Sequence, residues 1–261
     1  MTDLINCIDT NYSDWDDSTL TRYAMQLEDL LSHEEKMLHP PLEVIKESIR
    51  NGLASMCFDD HDNLIGFCRL IPVLGRDHIA ANHWNQNLPN IYELGTVIVS
   101  KEHRGKGHGK ELLLQLHDRF REQLINGTVL FMGTTTTYIM LKTLESELLK
   151  DYNVAYKFGT PDQYLGASTC VCEPTHPPYG TGIQMQEDCN NRLILERDIP
   201  VTEVSTNQMT SGKCVMFFSN HQVAQSLENI LVEDLGEPTY QNRRRFANIL
   251  NWNPDVIITE S

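Results

Sequence analysis

The feature that most restricts this chain is a direct succession at residues 91–131. A β-branched run, IYELGTVIVS, leads into a glycine-punctuated turn, KEHRGKGHGK. Leu113, Leu116, Phe120 and Leu124 then mark one face of a helix, and a second β-rich run follows at Thr128 to Phe131. Two strands joined through a helix cannot pair as a hairpin does, so the crossover makes them parallel neighbours. The centre of the chain is a βαβ unit. At 261 residues the whole is one generous domain, or one domain with an addition.

The flanks add antiparallel strands and helices. LINCI at Leu4 to Ile8 reads as a short strand. Leu20, Tyr23, Ala24, Leu27, Leu30 and Leu31 recur at helical spacing, with Ser18 placed to cap. A second helix starts after Pro40 and Pro41 and ends at Gly52. Leu53 to Phe58 and Leu64 to Leu74 flank DDHDN and form a hairpin, and Gly75 to Pro89 is a loop. Beyond the βαβ unit, Met140 to Leu149 reads as a helix. Thr169 to Val171 and Leu193 to Glu196 read as strands on either side of an irregular stretch. KCVMFFS at Lys213 to Ser219 is a last strand, and Ser219 with Gln222 forms a capping box for a helix bearing Val223, Leu227, Ile230 and Leu231. The triplet Arg243, Arg244 and Arg245 reads as a solvated face.

Charge and cysteine usage narrow the partners. With 21 Lys and Arg against 36 Asp and Glu, the net charge of −15 repels polyanions and favours cationic acceptors, so nucleic acid is not expected. Seven cysteines, an odd number spread through the chain, fit reduced thiols in a cytoplasmic compartment better than a disulfide framework. No apolar run approaches the roughly 18 residues that span a bilayer, and the N-terminal stretch lacks the order of a signal peptide, so no membrane partner is expected.

Against that acidic background, Lys101, His103, Arg104, Lys106, His108 and Lys110 form a basic island around three glycines, Gly105, Gly107 and Gly109. Glycine admits positive φ and close backbone approach, and the start of the next helix offers unpaired N–H groups with the positive end of its dipole. Such a turn seats a phosphate. A P-loop would need Ser or Thr after Gly109-Lys110, where Glu111 stands, and a dinucleotide fold would put its glycines after the first strand of the sheet. Both fit poorly.

ELGTVIVSKEHRGKGHGKELL, from Glu93 to Leu113, resembles the acetyl-CoA-binding segment of the GNAT superfamily of N-acetyltransferases. That signature is Arg or Gln, two residues, Gly, one residue, then Gly or Ala, and Arg104, Gly107 and Gly109 satisfy it. The element order over about residues 4–197 matches as well. The resemblance implies an α/β fold with a mixed central sheet flanked by helices, a GNAT-like domain at 1–197 and a C-terminal βα extension at 198–261. The extension has three candidate roles: completing the sheet, pairing two subunits as a homodimer, or covering the acceptor pocket. The resemblance also implies that the backbone of Val97, Ile98 and Val99 pairs with the pantetheine arm. The pyrophosphate then lies on the N–H groups of Arg104, Gly105, Lys106, Gly107, His108, Gly109 and Lys110.

The implied reaction is acetyl transfer from acetyl-CoA, a cosubstrate, to a primary amine on a small cationic molecule or a protein lysine. No metal is required. An amine with a pKa of about 10.4 costs about 4.6 kcal/mol to neutralise at pH 7, so a base is wanted. Glu93 lies four and six residues before Val97 and Val99, on the same face by period two. It is either the general base that the resemblance implies or a carboxylate that positions a cationic substrate. For the departing thiolate, Tyr156 before Lys157-Phe158-Gly159 is the candidate acid, with Tyr152 and Tyr138 as competitors, although Thr160 replaces the aromatic residue usual in the family. Cys170, Cys172, His176 and Cys189 lack the paired spacing of a zinc site and the cysteines read as ordinary strand thiols, while His108 reads either as a phosphate contact or as a solvated loop histidine. A non-catalytic acyl-CoA sensor is the alternative class.

Overall fold

The computed structural model describes residues 6–8, 14–34, 39–74, 89–135, 138–145, 157–158, 164, 215–237, 239 and 242. The chain divides into two compact units. The first comprises Met1–Ile71, Leu94–Phe120 and Pro254–Ser261, and the second Pro72–Glu93 and Arg121–Asn253.

In the first unit, β1 (Asn6–Ile8) pairs antiparallel with β2 (Ala54–Phe58), and β2 with β3 (Leu64–Leu74). The expected hairpin is present. Its turn is closed by Asp59, whose carboxylate accepts from the backbone of His61 and Asn63 at 2.9 and 2.8 Å. Next in strand order is β4 (Asn90–Val99), whose residues from Leu94 onward belong to this unit. Helices α1 (Asp17–Ser32) and α2 (Leu42–Arg50) bury Leu20, Leu27, Leu31, Ile45 and Ile49 against Met56, Phe67 and Ile98. Each such side chain, fully removed from water, contributes about 1.5–3 kcal/mol.

The cap of α1 is Asp16, not the expected Ser18. Its Oδ1 accepts from Thr19 N at 2.7 Å, and the Ser18 hydroxyl donates to the same oxygen. Cys57 is disulfide-bonded, a departure from the expectation of reduced thiols, while Cys68 is free and buried.

The helix expected from Leu113 to Leu124 is two. α3 (His108–Arg119) ends where Phe120 leaves helical geometry at φ −106° and ψ 15°, and α4 (Arg121–Ile125) belongs to the second unit. α3 packs on β1 and β2. Two polar ties fix it there: the Ser55 hydroxyl donates to Leu112 O at 2.8 Å, and the Arg119 guanidinium donates to Gly52 O and Ala54 O.

In the second unit the strand order is β4, β5 (Val129–Thr135), β7 (Val215–Phe218) and β6 (Lys157–Phe158). β4 and β5 are parallel over Asn90–Glu93 against Val129–Met132, as the crossover requires, and the other pairings are antiparallel, so the sheet is mixed. α5 covers Tyr138–Leu144. The C-terminal βα segment consists of β7 and α6 (His221–Leu235). It comes last in sequence, yet β7 lies between β5 and β6 and completes this sheet.

Ala224, Leu227 and Leu231 of α6 pack with Ile91, Leu130, Met132 and Tyr164. Asn220 caps α6 by accepting from Val223 N at 3.1 Å. Ser219, expected in a capping box, instead accepts from Phe131 N at 2.9 Å and ties the segment to β5. Among the described residues, no helix is long and apolar enough to cross a membrane.

Candidate active site

The glycine turn keeps its expected place between β4 and α3, within the first unit. After β4 a single 3-10 turn covers Lys101–His103, and Gly105 and Gly107 follow at φ 77° and 93°. A Cβ at either glycine would meet no atom within 4 Å. These glycines therefore answer to backbone conformation and leave the space above the turn open. Gly109 differs: its φ is not positive, and a Cβ there would lie 3.8 Å from Val99 Cγ2, an ordinary contact. That geometry accounts for Gly or Ala alternating at this position of the signature.

Gly107 is the N-cap of α3, and no side chain caps the helix. Its carbonyl accepts from Lys110 N and Glu111 N at 3.0 and 3.1 Å. The amides of His108 and Gly109 fall among the first-turn groups for which a helix has no internal acceptor. Uncovered N–H groups at the positive end of a dipole form an anion seat.

The basic side chains around this seat are not equivalent. Arg104, Lys106 and Lys101 are exposed, but the Arg104 guanidinium is engaged: Nε donates to Val99 O at 2.9 Å and a terminal nitrogen pairs with Glu34. Arg104 thus clamps the turn to the end of β4 rather than projecting freely. His103 Nδ1 lies 2.7 Å from the Ser100 hydroxyl. His108 is partly buried, its Nε2 has no hydrogen-bond partner, and its ring lies 6.4 Å from that of His103. Burial, with the charges of His103 and Lys106, holds its pKa below the usual histidine range, so His108 is neutral at pH 7. What His108 offers at the start of α3 is a backbone amide rather than charge.

Upstream of the turn, Ile98 is buried in the first unit's core and Val97 and Val99 are partly exposed, so Ile98 can offer a ligand only its backbone. Thr96, just before them, has φ 50°. For a β-branched residue that is an outlier costing about 1–3 kcal/mol. Gly95, next to Thr96, is required by space rather than by φ, since a Cβ there would come within 2.8 Å of Ile71 Cδ1. The Thr96 hydroxyl accepts from Arg69 Nε at 3.2 Å, and Arg69 is only 1% exposed.

Glu93 lies in the second unit. It is the last β4 residue in parallel register, opposite Met132, and is partly exposed. Tyr156 and Tyr152 lie outside the described residues, as do Cys170, Cys172, His176, Cys189, both strands expected between 169 and 196, and Arg243 to Arg245. Tyr138 opens α5. Among the described residues, no three His, Cys, Asp or Glu side chains gather as a metal site.

Arg69, Thr96 and Glu34 were not singled out in the sequence. An arginine within the apolar run LIGFCRLIPVL was a visible signal for the first. A backbone left-handed at one threonine leaves none.

The model of the acetyltransferase (GNAT) family matches residues 18–138, a span that holds α1, α2, the hairpin, the glycine turn and the parallel strand pair. The chain carries a GNAT-family acetyltransferase domain. No curated protein sequence matches it. Among solved structures, the chain is similar to a GCN5-related N-acetyltransferase from Kribbella flavida, at 15% identity and a TM-score of 0.40, covering 60% of this chain and 34% of that one. It is also similar to the GNAT family N-acetyltransferase YhbS from Escherichia coli in complex with CoA, at 16% and 0.32, covering 50% and 62%. A third is the diaminobutyrate acetyltransferase EctA from Paenibacillus lautus, at 12% and 0.42, covering 60% and 84%. This chain thus spans about a third and under two thirds of the first two structures it resembles.

Proposed function

We propose that the GNAT domain binds acetyl-CoA along Val97–Val99, with the diphosphate on the amides of the 104–110 turn. It moves the acetyl group to a primary amine by direct attack in a ternary complex. The observation that carries this reading is the start of α3, with two left-handed glycines and no side-chain cap inside a match to an acetyltransferase family. The amine nitrogen attacks the thioester carbonyl, the new N–C bond forms, and the C–S bond breaks. The amine proton passes to Glu93, directly or through water, and the CoA thiolate is protonated by Tyr156. Glu93 is supported by its place on the signature strand, four residues before Val97. Tyr156 is supported by its place ahead of the Phe158-Gly159 pair.

A chain of net charge −15 draws cations, which favours a polyamine-like amine or a lysine side chain as acceptor. The test is thiol release from acetyl-CoA with a panel of amines, alongside calorimetric titration with CoA. Binding and amine-dependent release are expected. Binding without release from any amine would make the domain an acyl-CoA sensor, and no binding would remove the reading. Glu93→Gln is expected to lower kcat by roughly 100-fold or more at pH 7, and full turnover across pH would dismiss Glu93 as the base.

A further inference from the structure

We propose that Arg69 is a positioning residue for the cofactor strand. From β3 its guanidinium holds Thr96 in the left-handed conformation and so sets the direction in which the backbone of Val97–Val99 is presented. The inference rests on the reading of those three residues as the pantetheine-binding stretch.

Two non-glycine residues have positive φ among those described, Asp62 and Thr96. Both are gripped through their side chains. Asp62, in the β2–β3 turn, accepts from the Tyr23 hydroxyl at 2.7 Å and from Arg22 at 2.8 Å, and aspartate tolerates that region. Thr96 stands inside a strand, where a β-branched residue gains nothing locally from φ 50°, so an outside contact must offset the strain. The contact present is Arg69 Nε to Thr96 Oγ1. A guanidinium that is 1% exposed is costly to bury and must be hydrogen-bonded, so its position is fixed and can fix its partner.

The placement suits the role. Ser100 N donates to Ile65 O at 2.8 Å. Four residues onward along β3 and four back along β4 stand Arg69 and Thr96. Val97–Val99 are therefore bracketed by two ties to β3, one through the backbone and one through Arg69. Arg104 Nε adds a third hold on Val99 O. Arg69 need not touch the cofactor to control how these residues meet it.

The test is calorimetric titration of the full chain with CoA, together with KM for acetyl-CoA and thermal midpoints, for wild type, Arg69→Gln, Thr96→Gly and the double variant. Arg69→Gln is expected to weaken CoA at least 10-fold and to raise KM for acetyl-CoA more than it lowers kcat. Glycine adopts φ 50° unaided, so Thr96→Gly should bind within about threefold of wild type. The double variant should recover to the Thr96→Gly value while keeping the lowered thermal midpoint of Arg69→Gln. A double variant as weak as Arg69→Gln, or an Arg69→Gln that binds like wild type, would overturn the proposal.

Should Arg69→Gln not fold, Thr96→Val keeps the shape and removes the hydroxyl. At least 10-fold weaker binding supports the tie, and unchanged binding refutes it. Wild type that fails to bind CoA would instead remove the cofactor reading and this inference with it, an outcome distinct from binding wild type with unaffected variants.

Discussion

α1 and α3 both pack in the first unit, and they begin in opposite ways. The first turn of α1 is closed by its own chain, with Asp16 accepting from Thr19 N. That of α3 starts from a left-handed glycine with no side chain over its amides, and the turn in front of it is exposed. Lack of a cap is not diagnostic alone, since α2 begins after Pro41 with no side-chain cap either. What separates α3 is two glycines at positive φ with open space above them. A helix held by its own cap is built for stability; one held from its sides, with its start left open, can spend its first amides on a ligand.

The strongest way to break this contrast is to give α3 a start like that of α1. Gly107→Asp places a carboxylate beside the first-turn amides, and aspartate is among the few residues that enter the left-handed region, so the helix is kept at a cost in backbone strain. CoA affinity is expected to fall roughly 100- to 1,000-fold by calorimetry, with the fold kept. Affinity within threefold of wild type would show that the amides do not carry the diphosphate.

A second test asks whether α3 is anchored away from its start. His117 is fully buried and its Nδ1–H donates to Leu113 O at 2.5 Å, while burial lowers its pKa to about 4. Because the unfolded chain takes up this proton near pH 6.5 and the folded one only near 4, stability rises with pH across that window and is lost as pH falls through it. The loss is about 1.4 kcal/mol per pH unit. Denaturant midpoints at pH 7 and 5 should diverge accordingly, and His117→Gln should flatten the difference. A wild type with no more acid sensitivity than the variant would refute the anchor.

The smallest expected effect is the reverse of the first. Asp16→Ala uncaps α1 and should lower the chemical-denaturation midpoint slightly, leaving CoA affinity unchanged.

The elements legible in the sequence were those with strong periodicity. The hairpin, α1, α2 and the first strand of the parallel pair all appear within a residue or two of their expected positions, and the second strand starts where expected but runs four residues further, to Thr135. Caps were less so, because Asp16, Ser18, Ser219 and Asn220 are all competent acceptors, and only tertiary neighbours decide which hydroxyl or carboxylate is needed elsewhere. Ser219 was drawn away by Phe131 N. Phe120 was absorbed into a helix because an apolar residue at the right spacing looks helical even where the chain turns. The glycine turn was readable because glycine is a backbone instruction. Thr96 was not, since nothing in a threonine announces positive φ. Arg104, read in the sequence only as one member of the basic island, has its side chain on Val99 and Glu34, partners that the sequence does not announce.

The place of β7 has a consequence for how the molecule is made. β5 is synthesised some eighty residues before the neighbour that will flank it on its far side. While the ribosome is still reading toward position 215, that margin of β5 stands with its peptide groups unmatched, an invitation to any stray extended chain. A message cut short before this point would yield a product whose glycine turn is encoded in full but whose second unit is left with a raw edge.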